Sequence, residues 1–313
     1  MEPGMPGSLS HEDNLCSVVS HYGIALSCDQ PPKFTTVGLV HGWEASNKVG
    51  ASVYVSGNDL PRFSRIVGRF SEPLVIVVGG DDRIMPYDYD ADSIKRIATC
   101  DKVLAVFSHN NALSGRFRSL PIGIDYHTLF KAEGSHPWGE TGIAAREQEA
   151  SLFKARLKIP HISECRSVPV LSNFHLSMSK PPRRSRVRQA IVRAIEKVEW
   201  IKWLPAMNRV DLWMAIGDSA FMLCPSGQGN DTHRVWETLA LGRIPIVDRT
   251  STSQVYDGLP VWLVDDWREF AEMNEGHVRE KLSAFVAKWN DYDWQRITLS
   301  FWMTAIREAG YHV

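Results

Sequence analysis

Short, wholly apolar segments of strand-forming residues alternate with helical segments in the first half of the chain. Residues 74–78 (LVIVV) end at Gly79-Gly80, residues 102–107 (KVLAVF) form a second such run, and residues 91–100 between them are typical of a helix. A strand that is apolar on both faces belongs inside a parallel sheet, because helices then cover both of its sides. With further strand segments at 36–40, 52–55 and 120–124 and a helix at 59–70, the alternation predicts βαβ units and a doubly wound α/β sheet.

The same pattern starts again in the second half. Strands are predicted at 167–171, 199–203, 220–224, 244–247 and 260–264, with helices from 183, at 208–217 and at 232–241. A chain of 313 residues also exceeds one ordinary hydrophobic core. We therefore expect two Rossmann-like lobes with a ligand cleft between them.

The expected organisation has four parts. Residues 1–33 form a partly loose N-terminal segment, 34–165 the first lobe, 166–288 the second lobe, and 289–313 a C-terminal helix. A single helix is predicted over 289–309, and it needs a surface for its apolar stripe. We expect this helix to cross back and pack on the first lobe; the stripe consists of Ile297, Phe301, Trp302, Ala305 and Ile306.

Charge and cysteine content narrow the class of protein. Lys plus Arg number 35 and Asp plus Glu number 36, a balance that gives no global field for nucleic acid. The five cysteines are widely spread without a C-x-x-C pair, which favours a reducing compartment over a disulfide or zinc framework. No run approaches the 18 apolar residues of a membrane span and no secretory signal opens the chain. We expect a soluble cytoplasmic protein.

The segment 221–247 is the most informative for function. A predicted strand runs into PSGQGN (residues 225–230), and a helix opens at Asp231 or Thr232. Glycines at such a turn let backbone N–H groups approach a ligand, and a helix N-terminus favours anions. The loop is not a Walker A motif, and it departs from G-x-G-x-x-G because Thr232 replaces the third glycine.

Three polar side chains share one side of the helix that follows. At helical spacing His233, Arg234 and Glu237 lie together. This grouping suits a nucleoside diphosphate, with His and Arg on the phosphates and Glu accepting the ribose hydroxyls. The alternative is a solvated helix face with an ordinary i,i+3 Arg–Glu pair. Asp231 would repel a diphosphate, so we expect its carboxylate to cap its own helix.

The segment resembles the signature of the exostosin-type glycosyltransferases and their relatives in bacteria and large DNA viruses. In that pattern a strand leads into P-x-G-x-G-x-D-x-H-R-x-W-E and then, after an apolar helix, into G-x-I-P-I-V. The residues in place here are Pro225, Gly227, Gly229, Asp231, His233, Arg234, Trp236, Glu237, Gly242, Ile244, Pro245 and Ile246.

The resemblance implies a GT-B architecture, in which the second lobe binds a nucleotide sugar and the first lobe binds a glycan acceptor. It implies inverting transfer to an acceptor hydroxyl from a UDP-sugar, with UDP-xylose among the candidates, and no divalent metal or other cofactor. A binding protein with a degenerate transferase fold is the alternative. The implied donor-binding residues are Ser226, Gly227, Gly229, Asp231, Thr232, His233, Arg234, Glu237, Asn173 and Arg183.

A run of basic residues between 180 and 193 includes Arg183 and Arg188. It follows the first strand of the second lobe, where proteins of GT-B architecture place a phosphate-facing loop. One arginine of 183–188 therefore could hold the diphosphate, the alternative being a solvated helix start. Nucleic acid is disfavoured by the neutral total charge.

Residues 88–92 (DYDAD) contain D-x-D twice. Such carboxylates can bind a divalent cation that neutralises a diphosphate. They also stand directly before a helix, where aspartate caps the first turn and complements the helix dipole. We favour capping.

An inverting transfer needs a base at the carboxyl ends of the strands of the first lobe. Asp81 and Asp82 follow the strand at 74–78, His109 follows the strand at 102–107, and Asp125 follows the segment 120–124. Family members often carry an acidic residue at the position of Asp82, four residues before a proline. Asp82 is therefore our catalytic candidate, with Asp81 and His109 in reserve, against the alternative of turn-forming aspartates.

Overall fold

The computed structural model describes residues 16–35, 38–40, 42–43, 48–165, 170–174 and 182–311, without the side chains of 34–40 and 182–186. The described chain begins with helix α1 (His21–Ser27), whose start is capped by the Ser20 hydroxyl. Strands β1 (Lys33–Thr35) and β2 (Gly38–Val40) form an antiparallel pair. Ile24 and Ala25 of α1 are fully buried, so this helix belongs to the hydrophobic core.

The first lobe is built on a four-stranded parallel sheet in the order β3-β4-β5-β6. Every residue of β3 and β4 is buried. The sequence of β4 is accordingly apolar on both faces, whereas one face of β3 carries Ser52, Tyr54 and Ser56. The elements are β3 (Ala51–Ser56), α2 (Leu60–Ser64), β4 (Leu74–Gly79), α3 (Ala91–Thr99), β5 (Val103–His109) and β6 (Phe117–Leu120). The predicted helix 59–70 is split, because a separate 3₁₀ turn occupies Val67–Arg69.

One predicted strand of this lobe is displaced. Residues 120–124 were expected to be extended, whereas β6 ends at Leu120. Pro121 has no N–H to donate, Gly123 adopts φ +67°, and the N–H of Ile122 donates 2.8 Å to the Asp231 carboxylate of the second lobe. The segment therefore serves a contact between lobes and cannot extend the sheet.

Two helices connect the lobes, α4 (His127–Lys131) and α5 (Ala145–Lys158). The second lobe is a five-stranded parallel sheet in the order β11-β10-β9-β7-β8. Its elements are β7 (Val170–Ser172), α6 (Pro182–Ile195), β8 (Ile201–Trp203), α7 (Arg209–Gly217), β9 (Phe221–Leu223), α8 (His233–Ala240), β10 (Ile244–Asp248), β11 (Trp262–Val264) and α9 (Trp267–Glu272).

The strand order of the second lobe fixes where a ligand can bind. Numbered within the lobe, the order is 2-1-3-4-5, so the connections change direction between β7 and β9. Ligands of doubly wound sheets bind outside the carboxyl ends of the strands at this switch point. The expected architecture of two parallel α/β lobes is confirmed.

The C-terminal part differs from the single helix expected over 289–309. Helix α10 (Glu275–Ala287) is followed by a 3₁₀ turn, Trp294–Ile297, and then by α11 (Leu299–Tyr311). The Thr298 hydroxyl accepts from the N–H of Phe301 and caps the start of α11, which explains the break. Helix α11 contacts β3, β4 and β5 and so packs on the first lobe; no described helix is long and apolar enough to cross a bilayer.

Candidate functional site

The loop before α8 docks against the edge of the first lobe. The N–H of Asp231 donates 2.8 Å to Asn110 Oδ1, and the Asp231 carboxylate accepts from Ile122 N–H at 2.8 Å. His233 Nδ1 lies 2.7 Å from the carbonyl oxygen of Gly123. All three partners follow β5 or β6, so the carboxyl ends of strands from both sheets face each other here.

A cavity opens beside this contact, at the switch point between β7 and β9. Asn173 and Phe174 follow β7, residues 223–225 close β9, and the first turn of α8 forms a further wall. Its side chains come from both lobes and the connection between them: Asp125, Trp138, Asn173, Phe174, Arg188, Arg209, Leu212, Leu223, Cys224, Pro225, Thr232, His233, Arg234 and Glu237. The topology and the cavity therefore identify one candidate site.

Glu237 carries the negative charge between two arginines of this cavity. Arg234 Nη1 lies 2.7 Å from Glu237 Oε2, and Arg209 Nε donates 3.0 Å to Oε1. Burial tends to raise the pKa of Glu237, but the charges of Arg234 and Arg209 outweigh it and lower that pKa. The i,i+3 pair considered as the alternative is thus present, and Arg209, which is buried, joins it.

A third guanidinium, that of Arg188, faces the cavity from α6. Arg188 Nε donates 2.9 Å to the carbonyl oxygen of Ser226, and its guanidinium lies 5.6 Å from the ring centre of Phe174. Burial lowers the pKa of Arg188, although the charge of Asp248 works the other way. Arg188, Arg209 and Arg234 outnumber the carboxylates of Glu237 and Asp125 around the cavity, which favours an anion.

The glycines of the loop make room for side chains of the protein. A Cβ at Gly227 would lie 2.9 Å from Arg188 Nη2, and one at Gly229 would lie 2.5 Å from Asn110 Nδ2. Ser226 is tied down by Asp248, whose carboxylate accepts from its N–H at 2.8 Å and from its hydroxyl at 2.7 Å. We expected these glycines to let a ligand approach the backbone. The space beside them is instead occupied by the side chains of Arg188 and Asn110.

The expectation that Asp231 caps its own helix is wrong. Thr232 is the N-cap residue and makes no side-chain cap. The Asp231 side chain, 2% exposed, accepts from Ile122 N–H, from Trp236 Nε1 and from the Tyr256 hydroxyl at 2.8–2.9 Å. The carboxylate therefore accepts from these three buried donors and not from the N–H groups at the start of α8. Burial raises the pKa of this carboxyl to about 6.

The remaining candidates for the donor site include three that line the cavity and one whose side chain is not described. Thr232 and His233 line the cavity, as does Asn173, whose Nδ2 donates 2.7 Å to the carbonyl oxygen of Pro205. Arg183 lies in α6, but its side chain is outside the described residues. Arg188, five residues further along the same basic run, is the arginine that lines the cavity.

The catalytic candidates Asp81, Asp82 and His109 do not line the cavity. Asp81 accepts from Arg83 N–H at 3.1 Å and from the Tyr89 hydroxyl at 3.2 Å, and burial raises its pKa. Burial lowers the pKa of His109 to about 3. The choice of Asp82 as base stays a prediction without support from proximity to the cavity.

The D-x-D segment serves the helix behind it. Asp90 accepts from Ser93 N–H at 2.9 Å and caps α3, and Asp88 accepts from Ile84 N–H at 2.9 Å. The capping interpretation is confirmed for Asp90. Among the described residues no group of three or more His, Cys, Asp or Glu is arranged to hold a metal ion.

Sequence reasoning missed Arg209, which lines the cavity, and His127, which lies beside the cavity residue Asp125. Arg209 opens α7 and reaches both Glu237 and Gln148, the latter at 2.8 Å. His127 opens α4, and its Nδ1 lies 2.8 Å from Asp125 Oδ1. The only sequence signal for the pair of Asp125 and His127 was their D-x-H spacing at the start of a helix.

No family model matches the chain, and no curated protein matches it either. Solved structures similar to it include a UDP-forming α,α-trehalose-phosphate synthase from Burkholderia xenovorans, at 11% identity, TM-score 0.41, covering 84% of this chain and 74% of that one. An α1,3-fucosyltransferase has 10% identity, TM-score 0.35 and coverage of 87% and 92%. An α-glucosyltransferase in complex with UDP and a 13-mer DNA has 12% identity, TM-score 0.31 and coverage of 78% and 73%.

Proposed function

We propose that the chain is a glycosyltransferase that takes a sugar from a nucleotide-sugar donor bound in the cavity between the lobes. The observation that carries the proposal is the convergence of Arg188, Arg234 and the first turn of α8 at the switch point of the second sheet. A diphosphate needs cationic donors and benefits from a helix N-terminus. The exostosin-type sequence pattern supports the same class of ligand.

Within this proposal Arg234 and Arg188 bind the diphosphate, and His233 lies beside them. Glu237 holds Arg234 in place through the 2.7 Å ion pair; a contact from Glu237 to the ribose remains part of the prediction. A UDP-sugar is the proposed donor, with UDP-xylose among the candidates. Because guanidinium groups balance the charge of the leaving diphosphate, the reaction is proposed to need no divalent metal, and full activity in EDTA is the expected result.

The proposed reaction inverts the anomeric centre. The acceptor hydroxyl of a glycan attacks the anomeric carbon and gives its proton to a base, the new C–O bond forms, and the bond to the diphosphate breaks with both electrons leaving on the nucleotide. None of the five cysteines, all of which lie within the described residues, forms a disulfide, and the proposed compartment is the reducing cytoplasm.

Isothermal titration with UDP, GDP and their sugars tests the donor site. Arg234→Ala should weaken UDP binding by about 1.5–3 kcal/mol, the scale of a charge-assisted hydrogen bond. Arg188→Ala should weaken it similarly, whereas Arg268→Ala, which removes an exposed arginine of α9, should not. A parent protein that binds none of these nucleotides contradicts the proposal.

The second candidate function is nucleotide-sugar binding without transfer. It is favoured by one observation, that Asp81, Asp82 and His109 all lie outside the cavity lining. Transfer that falls in Asp82→Asn while UDP affinity is kept would support catalysis with that residue as base. Tight UDP-sugar binding with no transfer and no donor hydrolysis would support the binding protein.

A further inference from the structure

Four histidines from separate elements meet on the side of the cavity that the first lobe forms. This histidine cluster consists of His21, His109, His127 and His233. The ring centres of His21 and His127 are 4.6 Å apart, those of His127 and His233 are 5.8 Å apart, and those of His21 and His109 are 6.0 Å apart. His233 also lines the cavity proposed for the donor, so the cluster adjoins the place where the sugar would lie.

The members of the cluster differ in what they can do. His21 and His109 are buried, and burial lowers the pKa of both, so they stay neutral and inaccessible. His233 is committed through Nδ1 to the carbonyl oxygen of Gly123. The His127 side chain is 24% exposed, which leaves this imidazole within reach of a ligand.

Asp125 fixes the orientation of His127. Its carboxylate accepts from Thr128 N–H at 2.9 Å and from the Thr128 hydroxyl at 2.7 Å, and it faces His127 Nδ1 at 2.8 Å. Burial would raise the pKa of Asp125, but the hydrogen bond from His127 and the nearby imidazoles hold it well below its usual range. An ionised carboxylate at Nδ1 selects the tautomer with the proton there, so Nε2 keeps the lone pair that a base needs.

Beside His127 lies a space that is too small to hold a sugar ring. A small cavity there is lined by Ser20, His21, Tyr22, His127 and Phe130. Tyr22 and Phe130 are only partly buried, and the ammonium group of Lys131 lies 4.6 Å from the ring centre of Tyr22. His127 is paired with Asp125 and its ring centre lies 5.8 Å from that of His233; both of these residues line the donor cavity, so His127 lies at its edge.

We propose that His127 is the base that deprotonates the acceptor, with Asp125 as its positioning residue. The inference rests on the proposed glycosyl transfer. It gives His127 the role of base that the sequence analysis gave to Asp82. The acceptor O–H gives its proton to His127 Nε2, the oxygen forms its bond to the anomeric carbon, and the nucleoside diphosphate leaves with the electron pair. Asp125 stays ionised and stabilises the imidazolium that forms.

The first test is His127→Ala, assayed for transfer and, separately, for UDP binding. Loss of a general base predicts a fall in kcat of about 10²–10⁴-fold with a UDP dissociation constant within about twofold of the parent. Added imidazole should restore part of the lost rate, a result that a merely structural histidine would not give. His161→Ala, which removes an exposed histidine, is the matched control and should keep parental activity.

The second test separates positioning from folding. Asp125→Asn should lower kcat while leaving KM for the donor nearly unchanged, and Asp125→Glu should recover more of kcat than Asp125→Asn does. Transfer by His127→Ala at a rate within threefold of the parent would overturn the inference, as would a loss in His127→Ala that imidazole does not restore while Asp82→Asn shows the larger fall. A parent that binds UDP-sugar but transfers nothing would instead contradict the proposed function.

Discussion

Replacing Glu237 by glutamine should destabilise the protein far more than removing Arg234, although both lie in one ion-paired group. Glu237 shares its carboxylate between Arg209, 5% exposed at the side chain, and Arg234, 21% exposed. Glu237→Gln leaves the buried guanidinium of Arg209 facing a neutral amide. Loss of one partner of a buried pair costs about 3–5 kcal/mol, and because glutamine keeps one acceptor oxygen we expect about 2–4 kcal/mol.

Arg234→Ala has a smaller effect for a physical reason. Glu237 keeps both contacts with Arg209, at 3.0 Å to Nε and 2.9 Å to Nη2, so no buried charge loses its last partner. The lost pair is partly screened by solvent, and its contribution to the free energy of unfolding should be about 1 kcal/mol or less. The UDP affinity should follow the opposite order, because Arg234 faces the ligand.

Urea denaturation of both variants at pH 7, followed by tryptophan fluorescence, measures the stability order, and titration calorimetry measures the affinity order. The pKa of Glu237 is lowered in the folded state, so its stabilising contribution is complete at neutral pH and is lost as the pH falls through that lowered pKa. The gap between parent and Glu237→Gln should therefore narrow in acid. Equal destabilisation by the two variants at pH 7 would refute the distinction between a structural and a ligand-binding charge.

Four further predictions concern the stability of the fold. Asp231→Ala leaves the donors of Ile122, Trp236 and Tyr256 without their acceptor and should cost about 3 kcal/mol or more in denaturation experiments, whereas a cost near 1 kcal/mol would indicate a simple cap. Because burial raises the pKa of Asp231 to about 6, its ionisation should destabilise the parent by up to about 3 kcal/mol as the pH rises from 4 to 7, and Asp231→Asn should remove that dependence. Asp90→Ala should cost about 1 kcal/mol through the lost cap of α3, measured as a shift of the urea midpoint, with exposed Glu133→Ala as control. Deleting residues 289–313 should uncover the face of β3, β4 and β5 that α11 covers and lower the Tm of both lobes, and a truncated protein with parental Tm and activity would contradict this.

The strands were predictable because they are buried on both faces. The run LVIVV has no solvent-facing position, and the structure extends it by one residue to Leu74–Gly79. The segment 120–124 (LPIGI) is also largely apolar. It leaves the sheet because Pro121 and Gly123 interrupt it and because Ile122 donates to Asp231, more than 100 residues later. Local composition indicates that a segment is buried, and it cannot indicate which distant polar group takes its backbone hydrogen bonds.

The same limit explains what was found and missed at the site. The placement of the loop and of α8 follows from local signals, since a strand, glycines and a helix start occur within a dozen residues. Asn110 packs closely against Gly229, and Arg209 is paired with Glu237. Both of these side chains come from distant parts of the sequence. Helical spacing placed Glu237 beside Arg234 correctly, but only the fold brings α7 close enough to supply a second arginine.

The contact at Asp231 also constrains how the cleft between the lobes can open. Its carboxylate and N–H join Ile122 and Asn110 of the first lobe to Trp236 and Tyr256 of the second. Pulling the lobes apart here would leave the N–H groups of Ile122 and Asp231 without their acceptors, at a cost of about 1–3 kcal/mol each. The loop 225–231 is therefore hydrogen-bonded through Asp231 to both lobes. Any opening that admits the donor should therefore pivot about Asp231 and keep its hydrogen bonds to Ile122 and Asn110.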